Sequence, residues 1–224
     1  MSETTTSEVS RRSAFSLARG AVMFELRLYR SLFRWVTRRP RVSGPSDEVF
    51  TYARTATPVM WLWIFGSAVE MVVVHLLIPW TTVRIILLIV SAWGLIWMVG
   101  FLASITVYPH LLSTSGLRVR HGTSVDISIP WDSIDRVTVQ RRDVPSSIRT
   151  LQPRETETGT DLQVGVSGEV NVHAVLSQPQ TVPTPKGDLR IAELSFWVDE
   201  PNALVARARQ HLRAHATQQD QPNP

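Results

Sequence analysis

The spacing of apolar positions changes period along the chain, and each change marks a different kind of element. Leu17, Ala21, Phe24, Leu28, Leu32 and Trp35 recur every three or four residues, while Arg27, Arg30, Arg34 and Arg38 fall on the opposite side. This is a helical period, and it predicts a basic amphipathic helix over residues 15–41. Val59 to Ile78 then contain only Glu70 and His75 as ionisable residues, and Val83 to Val107 only Arg84. Both stretches are apolar all round, and at about 1.5 Å per residue each reaches about 30 Å or more, enough to cross a bilayer's hydrocarbon core. Only Pro79, Trp80, Thr81 and Thr82 separate them. The pattern therefore predicts an antiparallel transmembrane hairpin over residues 58–108, with Trp61 and Trp63 at one interface and Trp80 at the other.

Past Tyr108 the period drops to two. Gly116–Arg120, Val125–Ile129, Ile134–Arg141, Leu162–Val166, Glu169–Leu176 and Arg190–Val198 read as six strands, divided by Gly, Pro, Ser or Asp. A helix then follows: Asp199 is a suitable N-cap, Pro201 fits the first turn, and Leu204, Val205, Ala208 and Leu212 make one stripe. Residues 143–161, rich in Ser, Thr, Pro and charge, are expected to be irregular. The plan is a disordered start (1–14), the amphipathic helix (15–41), a linker (42–57), the hairpin (58–108), a soluble domain (109–215) and a disordered tail (216–224). The fold class is a membrane α-helical hairpin plus an α+β or all-β domain, a bent antiparallel sheet or barrel capped by a C-terminal helix.

Charge sharpens this picture once it is divided by segment. Residues 1–57 carry +5, the hairpin 0 and residues 109–224 −1, which make the net +4 of the chain. A nearly neutral C-terminal half lacks the clustered Lys and Arg that hold a polyanionic backbone, so nucleic acid is not expected as a partner. Arg38, Arg39, Arg41 and Arg54 precede the first span, and the turn side offers only Arg84. The positive-inside rule therefore puts both termini in the cytoplasm, as expected of a two-span protein of the plasma membrane. The first span begins near residue 59, too far along for a cleavable signal peptide, and is expected to act as its own insertion signal.

Candidate chemistry is sparse. The 224 residues include no cysteine, which removes disulfides, thiolate nucleophiles and Cys-ligated metals. His211 and His215 share a helix face but lack further ligands, and Gly165-Val166-Ser167-Gly168 misses the second glycine of a nucleophile elbow. No catalytic, cofactor or metal residues are expected, and the protein reads as a non-enzyme. Arg27, Arg30, Arg34 and Arg38 are candidates for binding anionic lipid headgroups, although Glu25, toward the apolar side, favours packing on protein. Arg118 and Arg120 project to one strand face as candidate lipid- or partner-binding residues, with a solvated strand edge as the plainer reading. Glu70, near the bilayer midplane, is expected to be partnered; a hairpin centred between Trp80 and Thr81 places it level with Ser91, and Gly66 on the same face would allow close helix approach.

Ser115-Gly116-Leu117-Arg118-Val119-Arg120, Ile129-Pro130-Trp131-Asp132-Ser133-Ile134-Asp135-Arg136-Val137 and Leu194–Val198 leading into Asp199-Glu200-Pro201 occur in that order after the hairpin. In this the chain resembles bacterial pleckstrin-homology-like (PH-like) domain proteins with a transmembrane hairpin before the domain, over roughly residues 58–214. The resemblance implies a seven-stranded PH-like barrel with an interaction role and no assigned lipid. Independently of it, Trp131 and Ile134 read as inward anchors. Two functions follow as expectations: a membrane-tethered module binding a protein or lipid headgroup, or a structural subunit whose hairpin contacts a larger complex or a second copy.

Overall fold

The computed structural model of the protein describes residues 23, 25–37, 44, 47–145, 151–185 and 187–219. The expected disordered start, Leu17, Ala21, Phe24 and Arg38 of the amphipathic helix, and the end of the tail at 220–224 lie outside the described residues. Residues 25–36 form helix α1. The two apolar stretches form α2 (Ala56–Leu77) and α3 (Thr81–Val107), both long and apolar enough to cross a membrane. Their most hydrophobic windows are only 6% and 11% buried within the protein, whereas a soluble core helix is covered on all sides.

Among the described residues, nine strands follow or flank the hairpin. A four-stranded antiparallel sheet has the order β1 (Glu48–Phe50), β2 (His110–Leu112), β3 (Gly116–His121), β4 (Val125–Pro130). A five-stranded sheet has the order β5 (Ile134–Asp143), β8 (Glu169–Thr184), β9 (Gly187–Phe196), β7 (Gly159–Val164), β6 (Leu151–Thr156). Helix α4 (Pro201–Gln219) closes the chain. Period-two alternation points Leu117, Val119, Ile127, Ile129, Leu162, Val172, Leu194 and Phe196 into one core between the sheets, and Leu204, Val205 and Ala208 of α4 cover its open end. Trp131 is 2% exposed and donates its indole N–H to the Ser113 carbonyl at 2.9 Å, so it is the anchor the sequence indicates.

Several expectations need correction. The linker contains β1, which pairs with β2 through Glu48↔Leu112, Val49↔Leu111 and Phe50↔His110. The stretch 143–161 contains β6 and the start of β7; β6 escapes the pattern because an edge strand with no buried residue, and Pro153 within it, carries no alternation. The second sheet is mixed, since β7 runs parallel to β9 while all other pairs are antiparallel. Residues 216–219 continue α4 rather than belonging to a disordered tail. Asp199 is turned to another use: one carboxylate oxygen accepts the Arg54 N–H at 3.2 Å, holding the base of α2.

The hairpin and the sheets share a second core. Tyr52, Ala53, Ile64, Leu102 and Ile105 pack with Met60, Val166 and Trp197, so the start of α2 and the end of α3 are seated directly on the domain. Gly122 of the β3–β4 turn, at φ +52°, lies so close to α3 that a Cβ there would sit 2.9 Å from Ser104 Oγ.

Candidate functional site

Strands that bury one face of their alternation must present the other, and in the second sheet that other face is polar. With Leu162, Val172, Leu194 and Phe196 turned inward, Asp161 and Gln163 of β7, His173 of β8, and Glu193 and Ser195 of β9 all project outward. Register then decides which of them meet. Asp161 lies directly opposite Glu193 across the parallel pair, and His173 opposite Ser195. All five are buried, Asp161 completely.

A buried carboxylate is costly unless satisfied, and here each is. Asp161 accepts from Ser195 Oγ at 2.9 and 3.0 Å and from Gln163 Nε2 at 3.1 Å, with Arg142 Nη1 at 3.8 Å. Glu193 accepts from the Thr158 hydroxyl, lies 3.0 Å from His173 Nε2, and receives a longer contact from Thr156 at 3.5 Å. Burial alone would raise the Glu193 pKa; the hydrogen bonds from Thr158 and His173, with the charges of His173 and Arg142, outweigh it and hold the group below the usual glutamate value. One ligating atom each from Asp161, His173 and Glu193 lies within 4.8 Å of the others. His173 and Glu193 also line a groove of about 760 Å³, walled by Arg136, Thr138, Gln140 and Arg142 of β5 and by Arg154, Thr156, Glu157 and Thr158 of the β6–β7 hairpin.

A second polar cluster sits where the domain meets the helices. His110 Nδ1 accepts the Arg120 backbone N–H at 3.1 Å, so its Nε2 carries the proton donated to the Trp197 carbonyl at 2.9 Å. Tyr52 lies against both His110 and His121, and its hydroxyl accepts the Gly122 N–H at 2.7 Å. Burial pushes His110 down to about 3 and His121 down to about 4, and the same burial pushes the Tyr52 phenol well above its ordinary value. These rings form a neutral structural plug.

The residues singled out from sequence are distributed differently. Arg118 binds Asp126 through two contacts of 2.6 and 2.7 Å, and Arg120, on the same face, is buried with its Nε 3.5 Å from the same carboxylate. Arg120 is thereby withdrawn from the surface where a headgroup would bind. Glu70 and Ser91 do not meet. Ser67 Oγ lies 3.7 Å from Met98 Sδ, a level that sets Glu70 opposite Leu95, one helical turn from Ser91. Glu70 is exposed on the apolar surface, and nothing lies within 4 Å of a Cβ built on Gly66. The close approach occurs elsewhere: Leu28 of α1 is buried against Gly100 of α3, and Trp93 Nε1 donates to Glu25 at 2.9 Å with the Tyr29 oxygen at 3.1 Å. Arg27 and Arg30 remain exposed on the far side of α1, and Arg34 is half-buried. His211 stacks on Trp131 and His215 lies 3.0 Å from the Thr114 carbonyl, so these two serve the core and the β2–β3 turn. Ser167 and Gly168, both at positive φ, form the tight turn that carries β7 into β8.

The Asp161, His173 and Glu193 cluster carries one signal in the sequence, the polar positions of three alternating strands. Which strands are neighbours is the missing information. The chain matches no protein-family model, no curated protein and no solved structure.

Proposed function

We propose that the protein is a two-span integral membrane protein that holds a PH-like interaction module against the cytoplasmic leaflet, where the module binds a protein partner or a lipid headgroup. The observation that carries this reading is the pairing of β1 with β2 on either side of two exposed apolar helices. A chain that leaves a sheet, crosses a bilayer and rejoins the same sheet has to cross an even number of times. Arg54 lies on the sheet side of the hairpin, at the base of α2, and by the positive-inside rule this side is the cytoplasmic one. The PH-like assignment is supported by a four-stranded antiparallel sheet, a second sheet packed over it and one C-terminal helix on the shared core. The β6–β7 hairpin, added parallel to β9, is an elaboration of that plan. The groove on the second sheet is the binding surface, and binding, rather than catalysis, is the activity.

The test is co-purification from native membrane after crosslinking, with the natural hairpin and with an unrelated two-span hairpin in its place. A binding module keeps its partner after the exchange and loses it in Arg136→Glu/Arg154→Glu. One observation favours the second reading, a subunit of a larger membrane assembly: Glu70 sits exposed on an apolar helix and, among the described residues, accepts no hydrogen bond. A carboxylate so placed calls for a partner from a neighbouring helix. That reading predicts that the hairpin exchange and Glu70→Leu both abolish co-purification, whereas Glu70→Gln retains it.

A further inference from the structure

We infer that Asp161, His173 and Glu193 form a binding site for a divalent transition-metal cation of the zinc class, at the floor of the groove on the second sheet. The donor set is one imidazole nitrogen and two carboxylates, borderline and hard ligands of the kind zinc takes. Bond lengths of about 2.0–2.2 Å around a tetrahedral ion place its ligands about 3.4 Å apart. The three donor atoms already lie within 4.8 Å of one another, and His173 Nε2 and Glu193 Oε2 are 3.0 Å apart. Small side-chain rotations therefore complete the coordination.

The backbone makes this arrangement stiff. The three residues stand on neighbouring strands, Asp161 directly paired with Glu193 and His173 two residues along β8 from the partner of Glu193, so no loop has to order on binding. The groups around them act as outer-shell supports. Ser195 and Gln163 orient the Asp161 carboxylate, and Thr158 orients that of Glu193, as hydrogen-bonded ligating carboxylates are oriented in metal sites. Charge balance points the same way. Among the described residues the two buried carboxylates share one close guanidinium, that of Arg142, whose Nη1 is 3.8 Å from Asp161 and whose Nη2 donates to Gln140 at 2.7 Å on the groove wall. Arg142 is 27% exposed on a long flexible stem, so it can withdraw toward Gln140 as a cation takes its place. Because His173 and Glu193 line the groove, the ion has a path from solvent, and three protein ligands leave one position of a tetrahedral ion for water. Occupation converts the His173–Glu193 contact into two metal bonds and releases any proton on the imidazole.

The experiment uses the full chain in detergent or nanodiscs after chelator treatment, titrated calorimetrically with zinc chloride, with magnesium and calcium as comparisons. We expect one saturable zinc site per chain, at least tenfold tighter than either comparison ion. Asp161→Asn and His173→Gln, which keep the shape and much of the hydrogen bonding, should each weaken zinc at least tenfold while the near-ultraviolet circular dichroism stays unchanged. His211→Gln/His215→Gln should leave zinc binding intact. Cobalt(II) loading should give visible d–d bands that His173→Gln removes. No saturable binding in the unmodified chain, or equal binding in Asp161→Asn and His173→Gln, overturns the site. Neither result bears on topology or on partner capture, so its failure is distinguishable from failure of the membrane-module reading.

Discussion

Val49 pairs with Leu111 in antiparallel register although both apolar helices lie between them in the chain. The strand before the hairpin and the strand after it are thus two halves of one structure. The ion pairs Arg207–Glu48 at 3.2 Å and Arg54–Glu200 at 3.3 Å tie the segment before the hairpin to the start of α4, but, exposed as they are, add little to stability.

The first prediction follows from this pairing. With single cysteines at Thr81 and Thr217, a membrane-impermeant thiol reagent applied to intact cells should label Thr81→Cys and leave Thr217→Cys unlabelled until the cells are opened. The reverse pattern would place the domain outside.

The junction rings predict a pH dependence. His110 and His121 are held neutral by burial, at about 3 and about 4, whereas an unfolded imidazole takes up its proton near 6.5. Between those limits the unfolded chain binds more protons than the folded one, so stability is full above about pH 6.5 and falls as the solution is acidified. Each imidazole contributes about 1.4 kcal/mol per pH unit in that window. Thermal unfolding from pH 7.5 to 4.5 should show the loss, and His121→Gln or His110→Gln should shallow it by about half; an unchanged slope in both would refute the assignment.

Gly116 predicts a contrast between glycines. A Cβ there would lie 2.3 Å from the Ile129 carbonyl oxygen and 2.9 Å from Pro130 Cα, both backbone atoms of β4 that can yield only by parting the sheet. Gly116→Ala should therefore cost about 1–3 kcal/mol or more. Gly66→Ala, with open space around it and a helix to favour alanine, should be neutral or slightly stabilising. Melting temperatures of the two variants measured side by side decide it.

Gly100 gives the corresponding prediction for α1. A Cβ on this glycine would meet Leu28 Cγ at 2.9 Å. Gly100→Val should push α1 off α3 and lower crosslinking by a short bis-thiol reagent between Glu25→Cys and Trp93→Cys introduced in the same chain; unchanged crosslinking would mean that α1 is held by other contacts.

The apolar helices are legible because their signal is local: expected spans of 59–78 and 83–107 become α2 and α3 to within three residues. The strands 116–120 and 125–129 are equally plain, since β4 alternates buried and exposed at every step. β1 and β2, three residues each, are too short to show a period and exist because they find each other across the hairpin. The site was half legible. Asp161-Leu162-Gln163-Val164 and His173-Ala174 show which side chains share a face, but the parallel seating of β7 beside β9, which brings Asp161 to Glu193, is a long-range choice with no local trace. Arg118 and Arg120 read as candidate binding residues or a solvated strand edge because Asp126, their ion-pair partner, faces them only once β3 and β4 pair.

The strand order of the second sheet also fixes a sequence of events during synthesis. β7 borders β9 and β6, and β8 borders β5 and β9, so β9 is the seam that joins two hairpin-like halves. Until Phe196 has left the ribosome, the β6–β7 hairpin has no sheet to join and its apolar face, Leu162 and Val164, stays uncovered. Such non-local closure is slow and leaves unpaired edges open to other chains. The helical hairpin is by then already made, so on the proposed membrane reading the nascent domain completes itself beside the bilayer, with β1 at the base of α2 ready to pair with β2.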